Sequence, residues 1–255
     1  MIVKRVEKVA VADGLREGRD DAVVDEAPLT ITARGQEVAV TLRTPGHDLE
    51  LVRGMLHAEI GPAAATAGMR QLGPDRVDVD VAPEAMPARS FMATAACGTC
   101  GRVAIAALEP RARPITAEDQ VAASLVAALP GALRQRQAEF AATGGLHATG
   151  LFDLAGRAVL VREDVGRHNA LDKLIGAALA AGCVPLSTSI VVLSGRIGYE
   201  LVEKAVLAGV PIVAAVSAPT RLAIDVAERF NVTLCGFVRD RRFNIYSHGW
   251  RITGP

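Results

Sequence analysis

From Thr116 to the C-terminus, short apolar runs alternate with longer amphipathic stretches, and this alternation constrains the fold more than any other feature of the chain. "SIVVL" is followed by "YELVEKAVLAG", and "PIVAAVS" by "TRLAIDVAERFN"; "VTLCGFV" and "RFNIYSH" close the series. A short run without polar interruption suits a strand covered on both faces, and a longer run with apolar residues three and four apart suits a helix. Just upstream, "LHATGLFDL" and "RAVLVRED" read as two strands around Ala155-Gly156, and "GRHNALDKLIGAALAAG" as a helix ended by Gly182. "TAEDQVAASLVAALPGALRQRQAEFAATGG" reads as two helices joined at Pro130-Gly131, with Thr116 and Asp119 as an acidic capping box. The pattern predicts an α/β sandwich over residues 116–255.

Residues 1–115 have a different texture. The first 22 residues read as an extended lead-in. "PLTITARGQEVAVTL" reads as a hairpin about Gly35, "DLELVRGMLHAEI" as a helix, and "DRVDVDVA" as a strand. Pro83 and Pro87 open a loop toward a cysteine pair. This predicts a smaller, strand-rich α+β module that ends in that loop.

Lysine plus arginine equals aspartate plus glutamate, at 28 each. Nothing global therefore favours nucleic acid or a membrane surface as partner, and an anionic ligand needs a local cluster of cations. The N-terminus lacks a secretory pattern. Leu174 to Gly195 carries no charge over 22 residues, but Gly182, Pro185 and Ser187-Thr188-Ser189 break it into helix, turn and strand rather than a membrane span. Four cysteines in 255 residues are too few for a disulfide scaffold. Cys183 and Cys235 sit among apolar neighbours and read as core residues.

The remaining pair lies in "FMATAACGTCGR". Three readings are open. His57-Ala58-Glu59 followed by Cys97 and Cys100 has the order of a zinc deaminase, but Ala96 stands where that motif has proline. A structural zinc needs four ligands and only two are evident; a dithiol redox pair belongs at a strand-to-helix junction, not after a Pro-rich loop. A sulfur carrier needs a reactive thiolate on a pliable backbone. Gly98 and Gly101 supply the pliability, and Arg89 and Arg102 could favour the thiolate. Spacing does not separate the last two readings.

Other residues fit a ligand. Arg239, Arg241 and Arg242 cluster after a strand and suit phosphate through paired N–H donors, or form a solvated turn. Gly195, Arg196 and Gly198 in "LSGRIGYE" lie between a buried strand and a helix, where backbone N–H groups favour an anion; a plain structural turn is the alternative. His147 begins a strand beside two glycines. "EDVGRHNALDK" places His168 and Asp172 four apart on a helix, suited to a ligand, a dimer partner or a capping network.

"CGTCG", "TGGLHATGLF" and above all "EDVGRHNALDKLIG" resemble the FdhD family, and the resemblance runs from "EAPLTI" at Glu26 to "FNIYSH" at Phe243. It implies a cytoplasmic, dimeric sulfurtransferase. Such a protein takes sulfur from a cysteine desulfurase and delivers it to the molybdenum bis(molybdopterin guanine dinucleotide) cofactor of formate dehydrogenase. It implies Cys97 as the persulfide carrier with Cys100 as loop partner. The cofactor stretch corresponds to Phe237, Val238, Arg239, Asp240, Arg241 and Arg242, where a GDP-like nucleotide could also sit. It further implies a cytidine deaminase-like fold for residues 116–255 without the zinc, hence no tightly bound metal. The competing classes are a cofactor-binding chaperone without enzymatic activity and a zinc-dependent deaminase. The resemblance gives no role to residues 1–22 or 63–86.

Overall fold

The structure, a computed structural model, describes residues 3–12, 15–85 and 101–254. Arg89, Cys97 and Cys100 lie outside the described residues, and so does the side chain of Arg102. The strands are β1 (Val3–Ala12), β2 (Leu15–Val24), β3 (Ala27–Ala33), β4 (Gln36–Arg43), β5 (Met69–Gly73), β6 (Arg76–Val79), β7 (Val121–Ala122), β8 (His147–Asp153), β9 (Ala158–Asp164), β10 (Ser189–Leu193), β11 (Ile212–Ala215), β12 (Thr233–Arg239), β13 (Arg242–Ser247) and β14 (Ile252–Thr253). The helices are α1 (Asp48–Ile60), α2 (Gly101–Leu108), α3 (Ala123–Arg134), α4 (Ala138–Thr143), α5 (Arg167–Ala180), α6 (Tyr199–Leu207) and α7 (Arg221–Arg229). Among the described residues, no helix is long and apolar enough to cross a membrane.

A six-stranded sheet in the order β13-β12-β11-β10-β8-β9 organises the C-terminal half. β10, β11 and β12 are parallel, so each connection must cross back over the sheet, and α6 and α7 are those crossovers. Side chains alternate between two cores. Val191, Leu193, Val213, Ala215 and Leu234 pack with residues of α5, α6 and α7. Ile190, Val192, Ile212, Ala214 and Cys235 pack with Val126, Leu129 and Leu133 of α3 on the other face. Burial on both faces is the reason these strands read as unbroken apolar runs. Fully burying such a side chain stabilises by about 1.5–3 kcal/mol.

In the N-terminal half, a sheet ordered β4-β3-β6-β5 packs Leu29, Ile31, Val77 and Val79 against Leu51, Val52 and Leu56 of α1. The other face of α1 lies on α5. At their crossing an added β-carbon at Gly54 would overlap the backbone of Asp172.

Three local readings are corrected. Residues 3–24 form a hairpin, β1 pairing with β2 from Val3↔Val24 to Ala12↔Leu15, rather than an extended lead-in. α3 runs through Pro130 instead of breaking there. Proline forfeits one backbone hydrogen bond, but Val126, Leu129 and Leu133, at helical spacing, are all buried on the sheet and hold the helix together. Thr116 and Asp119 cap nothing. α3 starts at Ala123 without a side-chain cap, because Val121-Ala122 first pair with β14.

Candidate functional site

The topology collects the separated ligand-type residues at one edge of the six-stranded sheet. β9 and β10 are both antiparallel to β8, so β9, β10, β11 and β12 all end at the edge where β8 begins. The turns leaving these strands hold Arg167 and His168, Gly195 to Gly198, Ser217 to Thr220, and Asp240-Arg241; His147 is the first residue of β8. Neighbouring strands are about 4.8 Å apart, so the edge from β8 to β12 spans about 14 Å. That is an elongated site, suited to an extended ligand rather than a single small group.

Each turn is tied to the next. A β-carbon at Gly195 would come within 3.1 Å of the His147 ring, so glycine lets the imidazole lie flat against the backbone. Ile197 donates its N–H to Ala218 O at 3.0 Å and accepts from Thr220 N at 2.9 Å. Phe237 N donates to Ser217 O at 3.1 Å. Thr220 caps α7, its side chain accepting from Ala223 N.

Phe237 has φ of 56° and is 36% exposed. An aromatic residue in the left-handed region is unfavourable by about 1–3 kcal/mol and marks a position held by its surroundings. Asp240 and Arg241 also have positive φ, at 53° and 60°, in a tight turn between the paired Arg239 and Arg242 where glycine or asparagine is usual. Arg239, Arg241 and Arg242 are exposed, and their closest acidic group is Asp240, 4.0 Å from Arg242. Val238 is fully buried in the core beneath α3, so it offers this edge only its backbone. Arg196 is exposed.

His147 is half-buried and held below the usual imidazole range by desolvation and by Arg167, against an opposing pull from Asp164. At neutral pH it is a neutral donor–acceptor. The Nε of Arg167 is buried and, among the described residues, has no hydrogen-bond partner.

The rest of "EDVGRHNALDK" works inside the fold. The Asp164 carboxylate accepts from Thr44 N at 3.1 Å, Gly166 N at 2.8 Å and Asn169 Nδ2 at 3.0 Å, and pairs with Lys173 Nζ at 2.7 Å. Both members of that pair are buried. Lys173 also donates to Thr44 O, and Asn169 to Leu42 O. Glu163 caps α4 through the N–H groups of Glu139 and Phe140, and Arg162 pairs with Glu50 of α1. The segment therefore joins the two sheets, and within it Arg167 and His168 sit at the edge where β9 to β12 end. His168 and Asp172 do not pair with each other: His168 faces Glu200 and Asp172 binds Lys204.

His57 is a structural residue. It is buried, with one ring nitrogen 3.2 Å from Gly61 O and the other 3.1 Å from Leu207 O, so the deaminase-like spacing is coincidental. Among the described residues, no cluster of side chains suits a metal ion. Cys235 is a core residue, its thiol pushed up to about 12 by burial. Cys183 is exposed, contrary to the expectation from its apolar neighbours: α5 ends at Ala180 and the chain turns outward through Gly182.

Sequence reasoning missed Glu200 and the Ser217 to Thr220 turn. The available signal was positional: turns that follow successive parallel strands meet at one edge.

The profile of the FdhD/NarQ family matches residues 24–253. The chain belongs to that family. It is 43% identical to the sulfur carrier protein FdhD of Nocardia farcinica over 98% of this chain and 94% of that one. It is 39% identical to the protein of the same name from Sulfolobus acidocaldarius, over 99% of each. A crystal structure described as that of a formate dehydrogenase accessory protein from Desulfotalea psychrophila superposes with a TM-score of 0.80 at 22% identity, covering 99% of this chain and all of that one. At that identity the likeness concerns the fold.

Proposed function

We propose that this protein is a sulfur carrier. In this reading Cys97 takes a sulfur atom as a persulfide from a cysteine desulfurase. The sulfur passes to the molybdenum bis(molybdopterin guanine dinucleotide) cofactor, the substrate, which lies along the sheet edge before it enters formate dehydrogenase. The protein works in the cytoplasm as a homodimer, with Cys100 as the loop partner of Cys97. The observation that carries the reading is FdhD/NarQ family membership across residues 24–253, combined with the "CGTC" sequence. The sheet edge supports it: a site about 14 Å long at the strand spacing of about 4.8 Å has room for pyrophosphate and a base. Arg239, Arg241 and Arg242 supply the charge at one end, and His147, Gly195, Arg196 and Gly198 line the other. Residues 116–255 form a mixed α/β half around the six-stranded sheet, and His57, in the N-terminal half, is committed to backbone carbonyls.

The test is persulfide loading. The protein is incubated with a cysteine desulfurase and cysteine, and its intact mass is measured before and after reduction. Wild type should gain one reducible sulfur atom; Cys97→Ala should gain none and keep its melting temperature. No loading of wild type would leave the non-enzymatic cofactor chaperone as the better reading; full loading of the Cys97→Ala protein would overturn the assignment of the persulfide to Cys97.

A further inference from the structure

The hairpin of β1 and β2 has no task in the reading above, and the family match begins only at residue 24. Its strands pair from Val3↔Val24 to Ala12↔Leu15, a length of roughly 33 Å at about 3.3 Å per residue. It meets the body through β2, which touches α4, and at Val24, which a β-carbon on Gly145 would approach to 3.0 Å. Residues 4–8 and 17–20 are exposed on both faces. Among the described residues, β1 pairs with β2 alone. A two-stranded hairpin is marginally stable in water, and an unpaired edge is a template for another strand.

The charges on the hairpin say which strand. On one face Lys4 pairs with Asp25 and Lys8 with Asp21, both at 2.7 Å. The other face is uncompensated. Glu7 lies directly opposite Asp20, and Arg5 lies opposite Ala22. Among the described residues, the side chains of Arg5, Glu7 and Asp20 have no partner. Like charges directly opposite each other destabilise an antiparallel pair. The free edge of β1 therefore suits a strand that brings a cation to Glu7 and Asp20 and an anion to Arg5, the neighbouring residue on that face. β1 itself carries this pattern when it runs the other way. Antiparallel pairing about a two-fold axis at Val6, which is 41% exposed, sets Arg5 of each copy against Glu7 of the other and Val6 against Val6. Lys4 and Lys8 also meet, but each brings its own carboxylate, Asp25 or Asp21, from the same hairpin.

We propose that the β1–β2 hairpin is a dimerisation arm. β1 pairs edge to edge and antiparallel with β1 of a second copy of this chain, with the two-fold axis at Val6 and two Arg5–Glu7 pairs across it. The inference rests on the homodimer of the reading above and names the surface that forms it. The contact is isologous, so one patch serves both copies and the assembly closes at two. Two marginal hairpins become one four-stranded sheet, and the tip of each points toward the body of the other copy.

Sedimentation equilibrium on the full-length protein tests this. Arg5→Glu sets acid against acid at both cross-strand pairs, and Glu7→Arg sets arginine against arginine. Each variant should have a dimer dissociation constant roughly tenfold higher than wild type or more, since both pairs turn from attraction to repulsion. An equal mixture of the two variants should regain the wild-type constant, because the two acids of one arm meet the two arginines of the other. That recovery also shows that both hairpins are folded. A dimer that neither substitution weakens, or weakened variants that do not re-associate when mixed, overturns this inference and leaves the homodimer standing. Wild type that stays monomeric at high micromolar concentration removes the homodimer and this inference together, and leaves the β1 edge to a different protein. Persulfide loading of wild type, measured in parallel, judges the sulfur-carrier reading separately.

Discussion

Gly176 of α5 faces Gly54 of α1 so closely that a β-carbon at position 176 would lie 2.9 Å from the Gly54 amide nitrogen and overlap the carbonyl of Glu50. Two helix backbones can approach this way only where neither carries a side chain. Here the contact fixes how the N-terminal sheet and α1 sit on the α/β half. Gly176→Ala would raise helix propensity by up to about 1 kcal/mol, yet overpacking against backbone costs about 1–3 kcal/mol or more. Urea denaturation should therefore show net destabilisation. Gly131→Ala in α3, where nothing lies within 4 Å, should be neutral or stabilising. Equal effects of the two substitutions would show that the seam can give way.

Much of the α/β half was legible because each strand and helix obeys its own periodicity. "SIVVL" became β10 and "YELVEKAVL" became α6 without adjustment. What failed depended on partners distant in sequence. Val121 and Ala122 leave the helical pattern because Ile252 and Thr253 pair with them, and Pro130 stays helical because the sheet holds its helix. The site was legible residue by residue but not as a site. Nothing local in "HATG", "LSGRIG" and "FVRDRR" says that they meet; the strand order does. "EDVGRHNALDK" divides by burial: Asp164 and Lys173 turn inward to each other while Arg167 and His168 stay at the edge, a split that composition does not reveal.

Asp172 should give stability an unusual pH dependence. Burial raises its carboxyl to about 6, against the opposing pull of Lys204. A folded-state value above the unfolded 3.8 means that the native protein binds the extra proton between about pH 4 and 6. The contribution of Asp172 is therefore full below pH 4 and is lost as pH rises through 6, by an amount on the order of 3 kcal/mol. Asp172→Asn cannot titrate. The stability of wild type relative to this variant should fall from pH 4 to pH 7 and be flat above. If the difference instead grows with pH, the ionised carboxylate paired with Lys204 is the favoured form.

The two cysteines outside the "CGTC" stretch should be sharply distinguishable. Cys183 is exposed, whereas Cys235 is buried with its thiol near 12, and only a thiolate attacks a disulfide reagent. In a Cys97→Ala, Cys100→Ala background, Ellman's reagent should label one thiol quickly and a second only after denaturant is added. Cys183→Ala should remove the fast phase and leave the melting temperature unchanged, because no packed volume is lost. Rapid labelling of both thiols in the native protein would contradict the burial of β12.

GDP binding tests the other end of the sheet edge. Arg239, Arg241 and Arg242 are exposed cations with little local compensation. If they meet a pyrophosphate, affinity should weaken as salt rises, since such attractions are screened over about 8 Å at physiological ionic strength. Losing one charge-assisted contact in Arg242→Ala should cost about 1.5–3 kcal/mol, or roughly a 10- to 150-fold higher Kd. Phe237 gives an independent reading. Its ring is partly exposed although its backbone is in the left-handed region, a conformation that glycine adopts without strain. Stacking on a base is worth about 1–3 kcal/mol. Phe237→Gly should therefore bind GDP more weakly while its melting temperature holds or rises, because the backbone strain is relieved as the stacking surface is removed. Calorimetry with GDP alongside thermal denaturation measures both quantities on one protein. Unchanged GDP affinity in Phe237→Gly and Arg242→Ala together would move the nucleotide to the Gly195 to Gly198 turn beside His147.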